Sequence, residues 1–140
     1  MKKVYEVMRS DVPTLEPEQS IVEAARLMKK HNCWGLAVLD EGRIVGIITD
    51  GDLLNEFYLC VGSFSFESDE KIEKRISDFR ELKVKDAMTL HPHPISKDAN
   101  VGDAAEKIKR MGFKRVIVTD EKNKYVGMIE RLNILNAILE

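Results

Sequence analysis

Gly46-Ile47-Ile48-Thr49-Asp50-Gly51-Asp52-Leu53-Leu54 is answered 81 positions later by Gly127-Met128-Ile129-Glu130-Arg131-Leu132-Asn133-Ile134-Leu135. In each stretch an apolar, β-prone run passes into a helical one without a spacer. Upstream the echo continues at an offset of 80: Val4, Met8, Ala24, Ala25, Lys29, Val38, Asp40 and Glu41 recur as Val84, Met88, Ala104, Ala105, Lys109, Val118, Asp120 and Glu121. One residue inserted in a turn accounts for the change of offset. The chain is therefore one small unit written twice: residues 1–62 form a first repeat, 63–83 a linker with a short helix, and 84–140 a second repeat. Two such units bury a shared face, and each alone is near the size at which a sufficient core is hard to build. One cooperative module is expected.

Composition narrows the functional classes. Of 140 residues 44% are hydrophobic and 33% charged, an ordinary soluble balance, and the net charge of −2 offers no basic field for nucleic acid. No segment approaches the ~20 apolar residues of a membrane span, and no secretory pattern opens the chain. Cys33 and Cys60 stand apart, which suggests neither a zinc site nor a disulfide framework. A cytoplasmic protein is expected.

Each repeat reads β-α-β-β-α. Ser20-Ile21-Val22-Glu23 has the form of a capping box, and Ile21, Ala24, Ala25 and Met28 make one helix face. In the second copy Asn100 caps with Asp103 three residues on, and Gly112 is placed to end the helix. Hairpins follow, Leu36–Leu39 with Ile44–Ile48 and Val116–Thr119 with Tyr125–Ile129. Terminal helices are predicted over about 50–59 and 131–139. Short extended stretches (Val12–Leu15, Pro92–Ser96) precede the capped helices. Between the copies, Gly62–Phe66 reads as a loop and Asp69–Leu82 as a linking helix.

This ordered set resembles the cystathionine-β-synthase (CBS) domain, and its duplication resembles the CBS-pair or Bateman module. The residues that carry the likeness are Val7, Met8, Pro13, Thr14, Leu15 and Pro17, the Ser20–Met28 helix, the Leu36–Asp40 strand and the Gly46–Leu54 run. It covers nearly the whole chain except about 60–82. The resemblance implies an α/β (α+β) fold of two repeats packed with pseudo-two-fold symmetry. It also implies a regulatory module that binds an adenosyl ligand (AMP, ADP, ATP or S-adenosylmethionine) in clefts between repeats. Each cleft would take a Thr/Ser and an Asp from one repeat and its base and phosphate contacts largely from the other.

Thr49, Gly51 and Asp52 are the local candidates. A helix start favours an anion through its amides and dipole. The Thr49 hydroxyl can donate to phosphate, Gly51 permits close approach, and the Asp52 carboxylate can accept both ribose hydroxyls. Thr-x-x-Asp is equally a capping box in its own right, and the two roles are compatible. By the resemblance, Ile47 joins this side, while Pro92, His93, Phe113, Lys114 and Arg115 answer from the second repeat. Phe113 would flank the base and the two cations would hold phosphate, Arg115 with a fork suited to its oxygens. Two adjacent basic residues are also commonly a solvated edge. His91 and His93 without a third donor read as a polar loop rather than a metal site.

The second cleft departs from the pattern. Glu130 and Asn133 replace Thr49 and Asp52, and Val12, Pro13, Cys33 and Trp34 stand on its other side. A carboxylate at roughly 4 Å from a phosphate costs up to about 4 kcal/mol at an effective dielectric near 20, and no cation replaces Lys114. This cleft is expected to be empty or to hold an uncharged adenosyl group on Trp34.

Two further readings compete with an AMP/ADP/ATP sensor: a ligand-free dimerisation or docking module, and an S-adenosylmethionine binder using the Trp34 cleft. No nucleophile–base pair, metal constellation or glycine-rich phosphate loop points to an enzyme. The resemblance further implies a homodimer, for which the apolar faces of the terminal helices offer Phe57, Tyr58, Leu135, Ile138 and Leu139, and output to an unidentified regulated protein in trans; charge and hydropathy point to no nucleic acid or membrane partner. It fixes neither the ligand nor whether Mg²⁺ accompanies it.

Overall fold

The structure is a computed structural model in which residues 1–62 and 68–140 are described. Along the chain come α1 (Val4–Val7), α2 (Ile21–His31), β1 (Gly35–Asp40), β2 (Arg43–Thr49), α3 (Asp50–Val61), α4 (Asp69–Arg80) and α5 (Val84–Ala87). Then follow β3 (Thr89–Leu90), β4 (Ile95–Ser96), α6 (Val101–Met111), β5 (Arg115–Thr119), β6 (Tyr125–Glu130) and α7 (Arg131–Leu139). The strands form two three-stranded sheets, ordered β1-β2-β3 and β4-β5-β6. The predicted helices and hairpins are present. The loop expected over Gly62–Phe66 lies, past Gly62, outside the described residues.

The chain divides into two compact units that cut across the segments 1–62, 63–83 and 84–140. Unit 1 holds Met1–Val12, Glu41–Ile44 and His91–Glu140; unit 2 holds Pro13–Asp40 and Val45–Leu90. The reason is an exchange of entry segments. Residues 2–9 complete the body of the second repeat, and residues 82–90 complete that of the first.

In unit 1, Val4 and Tyr5 donate their amides to Ala99 and Lys97, and Arg9 exchanges two backbone hydrogen bonds with Met128 at 2.8 and 2.9 Å. A Cβ on Gly127 would lie 2.6 Å from the Arg9 carbonyl oxygen, so only glycine admits this segment. The core gathers Val4, Ile95, Val101, Ala104, Ile108, Val116, Val118, Ile129 and Ile134. β4 runs parallel to β5 and β5 antiparallel to β6, with Arg115 opposite Glu130. Asn100 and Asp103 cap α6 reciprocally at 2.9 and 3.1 Å, and Gly112 ends it at φ 71°. The inserted turn residue is held by Asp120, whose carboxylate accepts the amides of Lys122 and Lys124, which lowers its pKa.

Unit 2 repeats the plan. Val84 and Lys85 donate to Gln19 and Pro17, and Ile21 donates to Leu82. β3 pairs with β2, Ile47 opposite Thr89, and a Cβ on Gly46 would meet the Thr89 carbonyl oxygen at 2.8 Å. Glu18 bridges Lys83 and Lys85 at 2.7 and 2.8 Å, and these partners hold its pKa down at about 2. One capping expectation changes: Ser20 accepts from the Val22 amide rather than from Glu23.

The linking helix α4 packs on α3. Phe79 meets Phe57 edge to face at 5.5 Å, and Arg75 donates to the Val61 carbonyl at the α3 carboxyl end, where a cation complements the helix dipole. Phe57 is half-buried in this contact. Leu54, Tyr58 and Leu59 on α3, and Leu132, Leu135, Ile138 and Leu139 on α7, are exposed. No helix among the described residues is long and apolar enough to cross a membrane.

Candidate functional site

The strand-to-helix junction of unit 2 places Thr49, Gly51 and Asp52 together. Thr49 is extended (φ −120°, ψ 167°) and caps α3. Its hydroxyl accepts from the Asp52 amide at 3.1 Å while its own amide donates to Asp52 Oδ2 at 2.9 Å. The other carboxylate oxygen, Oδ1, takes the Thr89 hydroxyl at 3.1 Å. Side chains opposite each other in a ladder share a face, so the Ile47–Thr89 register brings Thr89 to Asp52. Each carboxylate oxygen has two lone-pair directions, so both can still accept from a ligand, and the Thr49 proton is available to donate.

The helix mouth differs from expectation in one respect. The Asp50 amide goes to the Trp34 carbonyl at 3.0 Å, the Gly51 amide to the Asp50 side chain at 2.9 Å, and the Asp52 amide to Thr49. No first-turn amide is left for an anion, because Asp50 supplies an acceptor. A phosphate here would depend on side-chain cations. Gly51 is not sterically demanded either, since a Cβ would meet the Thr49 hydroxyl at an ordinary 3.6 Å.

Unit 1 holds the other predicted ligand residues. Phe113 packs partly against the core and stacks with His93, ring centroids 6.2 Å apart and planes at 26°. Pro92 is half-buried and Lys114 exposed. Arg115 Nε is buried without a hydrogen-bond partner among the described residues. His93 also borders a cavity of about 300 Å³ with Asp103, Glu106, Lys107, Arg110 and Met111. There Arg110 pairs with Glu106, and Lys107 donates to the Pro94 carbonyl. Among the described residues no group of three or more His, Cys, Asp or Glu is placed to hold a metal.

The residues predicted for the second cleft are also distributed. Glu130 and Asn133 share the junction of β6 and α7, where Asn133 Oδ1 accepts the Glu130 amide at 2.8 Å. Val12 is buried in unit 1, its carbonyl accepting the Tyr125 hydroxyl at 3.0 Å. In unit 2, Pro13 is half-buried, Cys33 is a core residue at 1% exposure and Trp34 is exposed. A cation outside the predicted set stands beside Glu130. Arg9 Nη1 reaches Glu130 Oε1 at 3.4 Å, and the same guanidinium grips Asp11 through Nε and Nη2 at 3.1 and 3.2 Å.

Sequence reasoning missed Thr89 and Arg9. They follow the repeated methionines Met88 and Met8, so they hold one position of the repeat, and their difference was the available signal.

The CBS domain model matches residues 4–58 and 84–140. The chain belongs to the CBS domain family. CBSX1, a chloroplastic CBS domain-containing protein of Arabidopsis thaliana, is 28% identical over 94% of this chain and 61% of its own length. Inosine-5'-monophosphate dehydrogenase of Methanocaldococcus jannaschii is 30% identical over 96% of this chain but only 23% of its own length. The chain thus spans less than two thirds of these relatives. Arabidopsis CBSX2, solved in complex with AMP, superposes with a TM-score of 0.76 at 27% identity, covering 99% of this chain and 97% of that one.

Proposed function

We propose that this CBS pair is a regulatory module for an adenine nucleotide (AMP, ADP or ATP), delivering its output to a partner protein in trans. The observation that carries the reading is the Asp52 carboxylate, held by the Thr49 amide and the Thr89 hydroxyl with an acceptor direction left on each oxygen. That is the chemistry a ribose diol requires. Within unit 2, Thr49 can donate to a phosphate on the side that Ile47 shares; within unit 1, Phe113 with Pro92 and His93 can take a base, and Lys114 and Arg115 carry positive charge. Arg115 Nε, buried and without a hydrogen-bond partner among the described residues, supports that role, since an orphaned buried donor is costly unless something fills it. The AMP-bound CBSX2 supports the ligand class.

Melting with AMP, ADP, ATP and S-adenosylmethionine added separately tests this. A ligand at about 100 times its Kd adds about 2.7 kcal/mol of stability, and one of the three nucleotides is expected to do so. No shift with any of them at millimolar concentration overturns the reading. The closed, reciprocal Thr49–Asp52 cap favours the second reading, a ligand-free docking module, which that result would leave standing. Under either reading the exposed faces of α3 and α7 are proposed to pair two copies, and light scattering showing a monomer would refute this.

A further inference from the structure

Arg9 and Thr89 occupy the same ladder position in the two units: Arg9 bridges to Met128, and Thr89 pairs with Ile47, the repeat counterpart of Met128. What each offers its helix junction is opposite. Thr89 gives Asp52 one hydrogen bond from a short side chain that leaves the carboxylate open. Arg9 lays a guanidinium against Glu130, and both side chains are largely covered, at 22% and 23% exposure. The fork of that guanidinium is already taken bidentately by Asp11. One guanidinium therefore serves two carboxylates.

We propose that Arg9 is the specificity-determining residue of the unit 1 half-site. Committed to Asp11 and Glu130, it closes that half-site to phosphorylated ligands, and released from Glu130 its Nη1 becomes the half-site's own phosphate donor while Asp11 keeps Nε and Nη2. The inference rests on the nucleotide reading of Thr49 and Asp52 and extends it. Arginine suits the role because its charge is permanent and its planar fork fits phosphate as well as carboxylate. The two carboxylates hold it by the contacts a phosphate would use. Asn133 adds to the block: its Oδ1 takes the Glu130 amide, and a carboxamide offers one acceptor oxygen where Asp52 offers two.

The test is calorimetric titration of the full chain with AMP. Wild type is expected to take one AMP per chain. Glu130→Thr with Asn133→Asp, which copies the unit 2 pattern, is expected to take two, and to keep one when Asp52→Ala removes the first. Adding Arg9→Thr should weaken the new site about tenfold, the contribution of one charge-assisted hydrogen bond. If the double variant does not fold, Glu130→Gln in the Asp52→Ala background decides: tighter AMP binding supports the inference and unchanged binding overturns it. Two AMP per wild-type chain, one per double variant, or indifference of the new site to Arg9→Thr each overturn it while the nucleotide reading stands. No AMP on wild type but one on the double variant sustains the Arg9 inference and sinks the Thr49–Asp52 reading. None on either sinks both.

Discussion

The junctions at Thr49 and at Glu130 share a backbone and differ in chemistry. Both pass from strand to helix with the first helical amide tied to the carbonyl before the preceding strand pair, Asp50 to Trp34 at 3.0 Å and Arg131 to Lys114 at 3.3 Å. Both lie beneath an entry segment that crosses a glycine so closely that no Cβ fits. Yet one carries Thr49, Asp52 and Thr89, with acceptor capacity to spare, and the other carries Glu130 and Asn133 with the Arg9 guanidinium laid on Glu130. Duplication has kept the scaffold, which packing dictates, while the polar residues have diverged because several sets of them satisfy the same cap.

If the scaffold is common to both, the largest effects fall equally on both copies. Gly127→Ala forces a Cβ to within 2.6 Å of the Arg9 carbonyl, and Gly46→Ala to within 2.8 Å of that of Thr89. Each is expected to cost about 3 kcal/mol in urea unfolding, at the upper end of overpacking. A cost below about 0.5 kcal/mol in either would show that the entry segment yields there.

Next comes ligand chemistry, where the copies separate. Asp52→Ala is expected to abolish AMP binding, while Asn133→Ala leaves it unchanged; each loses about 1 kcal/mol of cap energy. Equal effects of the two on AMP affinity would dissolve the distinction. Thr89→Val, which keeps shape and removes the hydroxyl, should weaken AMP about fivefold to tenfold, the worth of about one hydrogen bond. Unchanged affinity in calorimetry would make Thr89 a bystander.

The smallest effect concerns how the entry segments are fastened. In unit 2 Glu18 bridges Lys83 and Lys85; in unit 1 the counterpart of Lys85 is Tyr5, with the Lys97 ammonium 5.5 Å from its ring centroid. Because the folded pKa of Glu18 is held down at about 2, its contribution is present above its ordinary value near 4.5 and is lost as pH falls through about 2. Glu18→Gln should flatten the acid limb of the stability profile over that window by a small, salt-sensitive amount, as befits an exposed pair. An identical acid limb in the variant would show the bridge to be idle.

The parts legible in the sequence were those decided locally. Asn100 and Asp103 announce a cap, Gly112 an exit, and Asp69–Arg80 shows helical apolar spacing at Ile72, Ile76 and Phe79. α1, α5 and β3 were not legible. Four-residue helices and a two-residue strand have no periodicity to read and exist through hydrogen bonds to distant chain. The same holds at the site. Thr49 and Asp52 stand three apart and were read directly, whereas Arg9 meets Glu130 across 121 residues, and only comparison with Thr89 reveals its place.

The exchanged entry segments also set an order of events during synthesis. Unit 2 draws on nothing beyond Leu90, so it can consolidate while the rest of the chain is still being made. Residues 2–9, made well before their partners, must wait for Met128 before Arg9 has anywhere to dock. For that interval Val4, Val7 and Met8 are unsheltered, and a segment made early finds its place late.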